Sequence, residues 1–349
     1  MKTTITIQDL ERLNKQSPMG NFFQSHEFYS VLNSANLHPF AITASESARR
    51  AGLLAYTSPD PPLVSKFFPS VKVYYGPILA KDADSGAVDA LLRALDSEAR
   101  EKGAIRVDIR APFSPGILND VFEQNDYNRF DPGGEYSIII NLAGSEDALW
   151  KGMKRIARRN IRKAIRSKIA IKEVSNEQEL RSFYRIYLHT AERRYFTPYS
   201  FSFFSALRSK LQPNGIAKFF LAWHNEKPIA GILNTIYNRQ SVPFIAASLR
   251  GYWKLCPNHL LIWHSICWSK HEAEAQAFKL YHLPKSESPK NGIHYHSFKT
   301  CFGGDLIREC SFYHKVISPL KLQLLKKINR LSPAEYVTRI SRAVGHFVD

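Results

Sequence analysis

The chain has 349 residues, 44% of them hydrophobic and 12% aromatic, with a formal charge of +17. This composition excludes a disordered chain and suits two packed domains better than one small one. The excess of positive charge draws polyanions (nucleic acid, anionic lipid headgroups, nucleotide-linked phosphates) without choosing among them.

No apolar run reaches the length of about 18 residues that a transmembrane helix needs. Met1–Leu10 lacks the basic-then-apolar layout of a secretion signal. The expectation is a cytoplasmic protein that could sit at the inner face of the membrane. Cys256, Cys267, Cys301 and Cys310 form no C-x-x-C pair, which excludes the usual zinc spacings and reads as free core thiols in a reducing compartment.

In chain order, Asn21–Asn33 carries aromatics at helical spacing, and Gly52–Tyr56 and Val71–Tyr75 read as strands, the second ended by Gly76-Pro77. Ser85–Lys102 is a helix: Val88, Leu91, Leu92 and Leu95 recur at three-to-four spacing and Gly103 stops it. Strands follow at Ala104–Ile109 and Glu135–Leu142. Ser145 is then an N-cap, with Glu146 and Asp147 complementing the dipole of a helix expected to run to about Lys168.

From Lys151 to Lys168 that helix carries nine basic residues and no acid, with Met153, Ile156, Ala157, Ile161, Ala164 and Ile165 on another face. Next come a strand at Ala170–Val174, helices at Asn176–Arg194 and Tyr199–Leu211, and strands at Ile216–Trp223, Pro228–Asn238 and Val242–Ser248. Pro257–Ala275 is a long helix with Pro in its first turn. Phe278–His282 and Ile307–Tyr313 are strands, and Pro319–Ile328 and Pro333–Val344 are basic amphipathic helices. The expected architecture is α/β with mixed sheets in two domains, 1–144 and 145–315, followed by basic C-terminal helices over 316–349.

Several chemistries find no support. There is no G-x-x-x-x-G-K-S/T, G-x-G-x-x-G, Q/R-x-x-G-x-G/A, G-x-S-x-G or H-E-x-x-H. His294-x-His296 would share one strand face, but no carboxylate at suitable spacing completes a metal site; Asp305 is the nearest acid downstream. The cationic helix is either a phosphate- or RNA-contact surface or a solvated face. Tyr75, at a strand end, and Arg193, after a helix face of Tyr184, Tyr187 and Thr190, fit a cleft or a packed core alike. Gly292–Gly304 sets histidines, Phe298, Cys301 and Phe302 around Lys299, an arrangement suited to holding a positive charge against an oxyanion or phosphate.

Five segments in order resemble the FemABX-like branch of the GNAT superfamily, which includes Fem-type peptidoglycan aminoacyltransferases and BioF2-like proteins. They are Phe23-Gln24-Ser25; Tyr74-Tyr75-Gly76-Pro77-Ile78; Arg159-Asn160-Ile161-Arg162-Lys163-Ala164; Pro257–Trp263; and the F-K-x-x-F-G-G of Phe298–Gly304. The resemblance implies two tandem GNAT-like domains and acyl transfer to an amine. It implies that Lys299, paired with Phe298, stabilises charge at the transferred carbonyl. Phe278-Lys279-Leu280-Tyr281 departs from that family's Phe-Asp-Leu/Phe-Gly strand, and no coiled-coil arm is present.

The expectation is therefore an acyltransferase acting on an amine of a cell-wall or cell-envelope precursor. It has no tightly bound cofactor or metal, and aminoacyl-tRNA or acyl-CoA is its donor. Expected partners are an anionic nucleotide-linked or lipid-linked precursor, with tRNA and peripheral membrane contact as further candidates. Catalytic candidates are Lys299 and Phe298; substrate-binding candidates are Tyr75, Arg155, Arg159, Arg162, Lys163, Arg193, Ser248 and His296. An acyl-CoA-dependent N-acetyltransferase and a non-catalytic RNA- or membrane-binding protein are the alternatives.

Overall fold

The computed structural model describes residues 2–4, 6–46, 49–58, 67–113, 117–129, 135–284 and 297–330. The chain divides into two compact units, one of Met1–Gly134 with a segment starting at Glu309, the other centred on Glu135–Arg308. The expected boundary at 144/145 differs from this division by the strand Glu135–Asn141, which pairs with Ala277–Pro284 inside the second unit. The helix expected at Pro333–Val344 lies outside the described residues.

The first unit contains β1 (Lys2–Thr4), α1 (Ile7–Gln16), α2 (His26–Ser34), β2 (Pro39–Glu46), β3 (Arg49–Ser58), β4 (Ser70–Tyr74) and β5 (Ile78–Leu79). It continues with α3 (Ser85–Glu101), β6 (Arg106–Pro112), α4 (Ile117–Gln124) and β7 (Asn128–Arg129). The sheet order is β1-β2-β3-β4-β6, with β4 and β6 parallel. The expected Asn21–Asn33 helix is instead a 3-10 turn, Phe22–Gln24, followed by α2. Ser25 intervenes, its hydroxyl accepting from Phe28 N–H at 3.1 Å as an N-cap.

Two of the sequence motifs meet here. The buried Gln24 side chain donates to the carbonyls of Tyr74 (2.6 Å) and Leu54 (3.2 Å) and accepts from Leu54 N–H (2.6 Å), stitching β3 to β4. A Cβ at Gly76 would lie 2.9 Å from Gln24, so glycine is what lets the two motifs close on each other.

The second unit begins with β8 (Glu135–Asn141), α5 (Glu146–Gly152), α6 (Arg155–Arg166), β9 (Ala170–Glu173), α7 (Glu177–Arg194) and α8 (Phe201–Leu211). Then come β10 (Ala217–His224), β11 (Lys227–Tyr237), β12 (Gln240–Ser248), α9 (Pro257–His271) and β13 (Ala277–Pro284). β14 (Asp305–Val316) crosses back at Glu309 into the first unit, where it pairs with β6 and leads to α10 (Pro319–Arg330). The sheet order is β9-β10-β11-β12-β13-β8, antiparallel except for β12 and β13.

The single helix expected from Ser145 to Lys168 is two. Met153 and Lys154 turn extended (ψ 149° and 151°), which buries Met153 in the core and lets Lys154 N–H donate to Cys301 O at 2.9 Å. α6 then packs through Ala157, Ile161 and Ala164, all completely buried, on one stripe at i, i+4, i+7. α9 is buried on most sides, so its sequence shows no clear amphipathic period. Asn234 Nδ2 to Ser265 Oγ (2.9 Å) and Ser269 Oγ to Ser241 Oγ (2.6 Å) satisfy its two buried serine hydroxyls against the sheet.

Candidate acyl-transfer site

β12 and β13 pair only at Gln240–Ala277 and Ser241–Phe278 among the described residues, although both strands run on. The sheet therefore opens beyond Ser241. On one side, β12 ends at Ser248 and the chain enters α9. On the other, β13 slips register against β8 between Leu280 and Leu283, leaving Tyr281 in the irregularity. The buried Lys299 donates its ammonium to the Tyr281 carbonyl oxygen. Lys299 and Phe298 lie in a helical turn over residues 297–300.

Phe298 stands edge-on to His259 (ring centroids 4.8 Å) and to Phe302 (5.4 Å). His259, in the first turn of α9, is 3.1 Å through Nε2 from Asn160 Nδ2 on α6. With the amide nitrogen as donor, Nε2 is the acceptor and the imidazole is neutral. Burial pulls the His259 pKa down to about 4. So weak a base is poorly suited to deprotonating an alkylammonium. Its ring instead holds α6, α9 and the Phe298–Lys299 turn together.

The turn's exit explains the two glycines. Gly303 and Gly304 have φ +84° and +86°. A Cβ on Gly303 would meet Gly152 O at 2.8 Å, and one on Gly304 would press on the Ile139 carbonyl. Only glycine takes that backbone at that distance. Cys301 Sγ sits 2.8 Å from Phe298 O, and burial raises its thiol pKa to about 11. All four cysteines are free, and Cys301 in this state is no nucleophile.

Ser248 is consumed locally. Its hydroxyl accepts from Trp253 Nε1 (2.9 Å) and Asn258 Nδ2 (3.1 Å), its carbonyl from Arg193 Nη1 (3.0 Å), and its N–H donates to Thr190 Oγ1 (3.2 Å). The Arg193 guanidinium lies 4.9 Å from the Trp253 ring centroid. The structure thus joins Arg193 and Ser248 in one corner that fixes the entry into α9.

That entry has positive character. Pro257 occupies the first turn, the cap residue Cys256 is left-handed (φ 62°), and no side chain caps the helix. Burial raises the Cys256 thiol pKa, and the charges of Lys163 and Arg159 pull it back down, so these two α6 cations act at the α9 N-terminus. Arg162 lies over Trp150, 5.3 Å from its centroid, and Arg155 is exposed on the same helix. Tyr75 belongs to the first unit, where it is buried and stacked on Phe23 at 5.1 Å. His296 and His294 lie outside the described residues. Reasoning from sequence missed His259 and Asn160 as a pair, although each stood inside a quoted motif.

Residues 151–283 match the family model described as Acetyltransferase (GNAT) domain. No curated relative matches the chain. Among solved structures, FemX superposes with a TM-score of 0.69 at 14% identity, covering 94% of this chain and all of that one. A tandem GNAT protein from the clavulanic acid biosynthesis pathway gives 0.61 at 11% identity, covering 91% of this chain and 99% of that one. L-PGS from Bacillus licheniformis gives 0.54 at 14% identity, covering 97% of both chains.

The fold is that of the tandem GNAT proteins, and the second unit carries a GNAT acetyltransferase domain. Residues 151–283 are accordingly a GNAT acyltransferase domain.

Proposed function

We propose that this protein transfers an acyl or aminoacyl group from an anionic carrier to a primary amine of a cell-envelope precursor, with Lys299 as the catalytic cation. The observation that carries this reading is Lys299 itself: a buried ammonium on a glycine-locked turn, beside the sheet opening and the uncapped N-terminus of α9. The α9 N-terminus with Arg159 and Lys163 suits the phosphates of the carrier. Phe298, held by His259, walls the acyl group from water.

The amine nitrogen attacks the acyl carbonyl carbon, and the carbonyl π pair moves to oxygen. The Lys299 ammonium stabilises that oxyanion by a charge-assisted hydrogen bond. Collapse re-forms the carbonyl and breaks the bond to the carrier. The proton lost by the amine goes to the departing thiolate or alkoxide. Arg155, Arg162, Arg193 and Ser248 stay in this proposal as groups shaping the acceptor side. Arg193 and Ser248 act indirectly, through Trp253 and Asn258.

A donor screen tests the reading: radiolabelled acetyl-CoA and aminoacyl-tRNA, each offered with nucleotide-linked and lipid-linked cell-wall peptides. Amide product with one donor supports it, and no product with any pair sinks it. A second reading, acyl-CoA-dependent N-acetylation of a sugar or small-molecule amine, is favoured by the acetyltransferase model matching residues 151–283. Acetyl-CoA turnover on a simple amino sugar, with none on peptide acceptors, would select it.

A further inference from the structure

The outer face of α6 is more than the edge that meets α9. At about 100° per residue, Arg155, Arg158, Arg159, Arg162, Lys163 and Arg166 fall within an arc of about 140° opposite the buried Ala157–Ile161–Ala164 stripe. All are exposed except Arg158, which is half-buried. Among the described residues no carboxylate pairs with any of the six; the nearby Lys151 is bridged to Asp147 instead. A run of like charges on one helix repels itself and is relieved by an anionic partner.

The margins of the arc are apolar. Ile156 is 40% exposed and Ile165 is 55% exposed. On the same wheel they fall about 180° apart, one at each border between the cations and the buried stripe. A polyphosphate ligand or RNA has no use for exposed isoleucines there. A bilayer does, because cations meet the headgroups while flanking aliphatics enter the acyl boundary.

We propose that the α6 face is a docking surface for an anionic lipid bilayer. Arg159 and Lys163 lie at the Ile156 side of the arc and act on Cys256, so the bound surface would border the α9 entry. An acceptor amine presented from the membrane would then arrive at the sheet opening. The docking itself is independent of which donor or acceptor the protein uses.

Flotation of the full chain with vesicles of equal parts phosphatidylglycerol and phosphatidylcholine, against phosphatidylcholine alone, tests this. Wild type is expected on the anionic vesicles only, with binding falling as salt rises. Each cation near the surface is worth about fivefold in partitioning, so Arg155→Glu with Arg166→Glu should lower it by a hundredfold or more. Ile156→Ser with Ile165→Ser should weaken vesicle binding severalfold, yet leave binding to poly-uridylate unchanged. Thermal melts confirm that both double variants are folded.

Absence of wild-type binding to anionic vesicles overturns the proposal. So does the isoleucine variant floating as wild type does, which assigns the face to a polyanion such as RNA.

Discussion

The ammonium of Lys299 donates to the carbonyl oxygen of Tyr281, at the point where β13 falls out of register with β8. One side chain thus has two duties: it satisfies an acceptor in a strand irregularity and places a cation beside the sheet opening. Lys299→Met removes both. Loss of one oxyanion-stabilising group typically costs about 10²–10³ in kcat, while loss of a hydrogen bond from a charged donor costs about 1.5–3 kcal/mol of stability. Single-turnover transfer measured beside urea unfolding should show both losses. A variant that is less stable but equally fast would reduce Lys299 to a structural cap.

His259 makes the protein acid-labile in a defined window. Its folded pKa, lowered to about 4 by burial, is below the ordinary value of 6.5. Between these two values the unfolded state binds the extra proton, so stability rises with pH there. The term is absent above about pH 6.5 and grows as pH falls toward 4, reaching up to about 3 kcal/mol at 1.36 kcal/mol per unit. His259→Gln keeps an acceptor for Asn160 and removes the titration. Its unfolding free energy should fall less steeply than wild type's between pH 6.5 and 4, as urea titrations at stepped pH would reveal.

The fold was legible where the apolar pattern had a single period. The Ser85–Lys102 helix, whose buried residues include Val88, Leu91, Leu92 and Leu95, and the meander β10–β11–β12 follow directly from spacing. It was not legible where a distant backbone decided the outcome. Nothing local marks the break at Met153–Lys154, because Cys301 O, far along the chain, takes the Lys154 N–H. Phe23-Gln24-Ser25 lay inside the helically spaced stretch Asn21–Asn33, but Gln24 is a stitch between β3 and β4, visible only once Tyr74 is in place.

The site shows the same division. Phe298-Lys299 and the glycines stood out as a pattern, since special backbone demands special residues. The Asn160–His259 contact spans 99 positions and carries no composition signal beyond the two motifs that contain its ends. Ser248 and Arg193 emerged as a pair for a reason that sequence could not supply: both ends of their contact are needed to seat Trp253 before α9 and Asn258 in its first turn.

The glycine pair offers a sharp stability test. Gly304→Ala must adopt φ near +86° with its new methyl against the Ile139 carbonyl carbon at 2.9 Å, and Gly303→Ala must displace Gly152 O. Left-handed strain costs about 1–3 kcal/mol before any clash is counted, so each should lose at least that in chemical denaturation. Gly144→Ala is the control: its Cβ would make an ordinary 3.5 Å contact with Ala148, and its effect should stay within about 0.5 kcal/mol. Equal effects at all three positions would mean that the F-G-G turn is not the constraint described.

In the first unit, Asp96 anchors β14 through Lys315. Its carboxylate receives the Lys315 ammonium at 2.5 Å and the Tyr127 hydroxyl at 2.8 Å, and both charged side chains are largely buried. Lys315 also donates to Asn125 O at 2.7 Å. Asp96→Ala would leave the ammonium with that carbonyl, the Tyr127 ring at 5.3 Å and a distant contact, at 4.0 Å, to the exposed Asp126. Breaking one side of a buried pair costs about 3–5 kcal/mol, whereas replacing both partners by apolar groups is often near neutral. The double variant Asp96→Ala with Lys315→Met should therefore recover most of the loss. Guanidinium unfolding of both variants decides it: a double variant as unstable as Asp96→Ala alone would show that Asp96 acts through Tyr127 rather than through the ion pair.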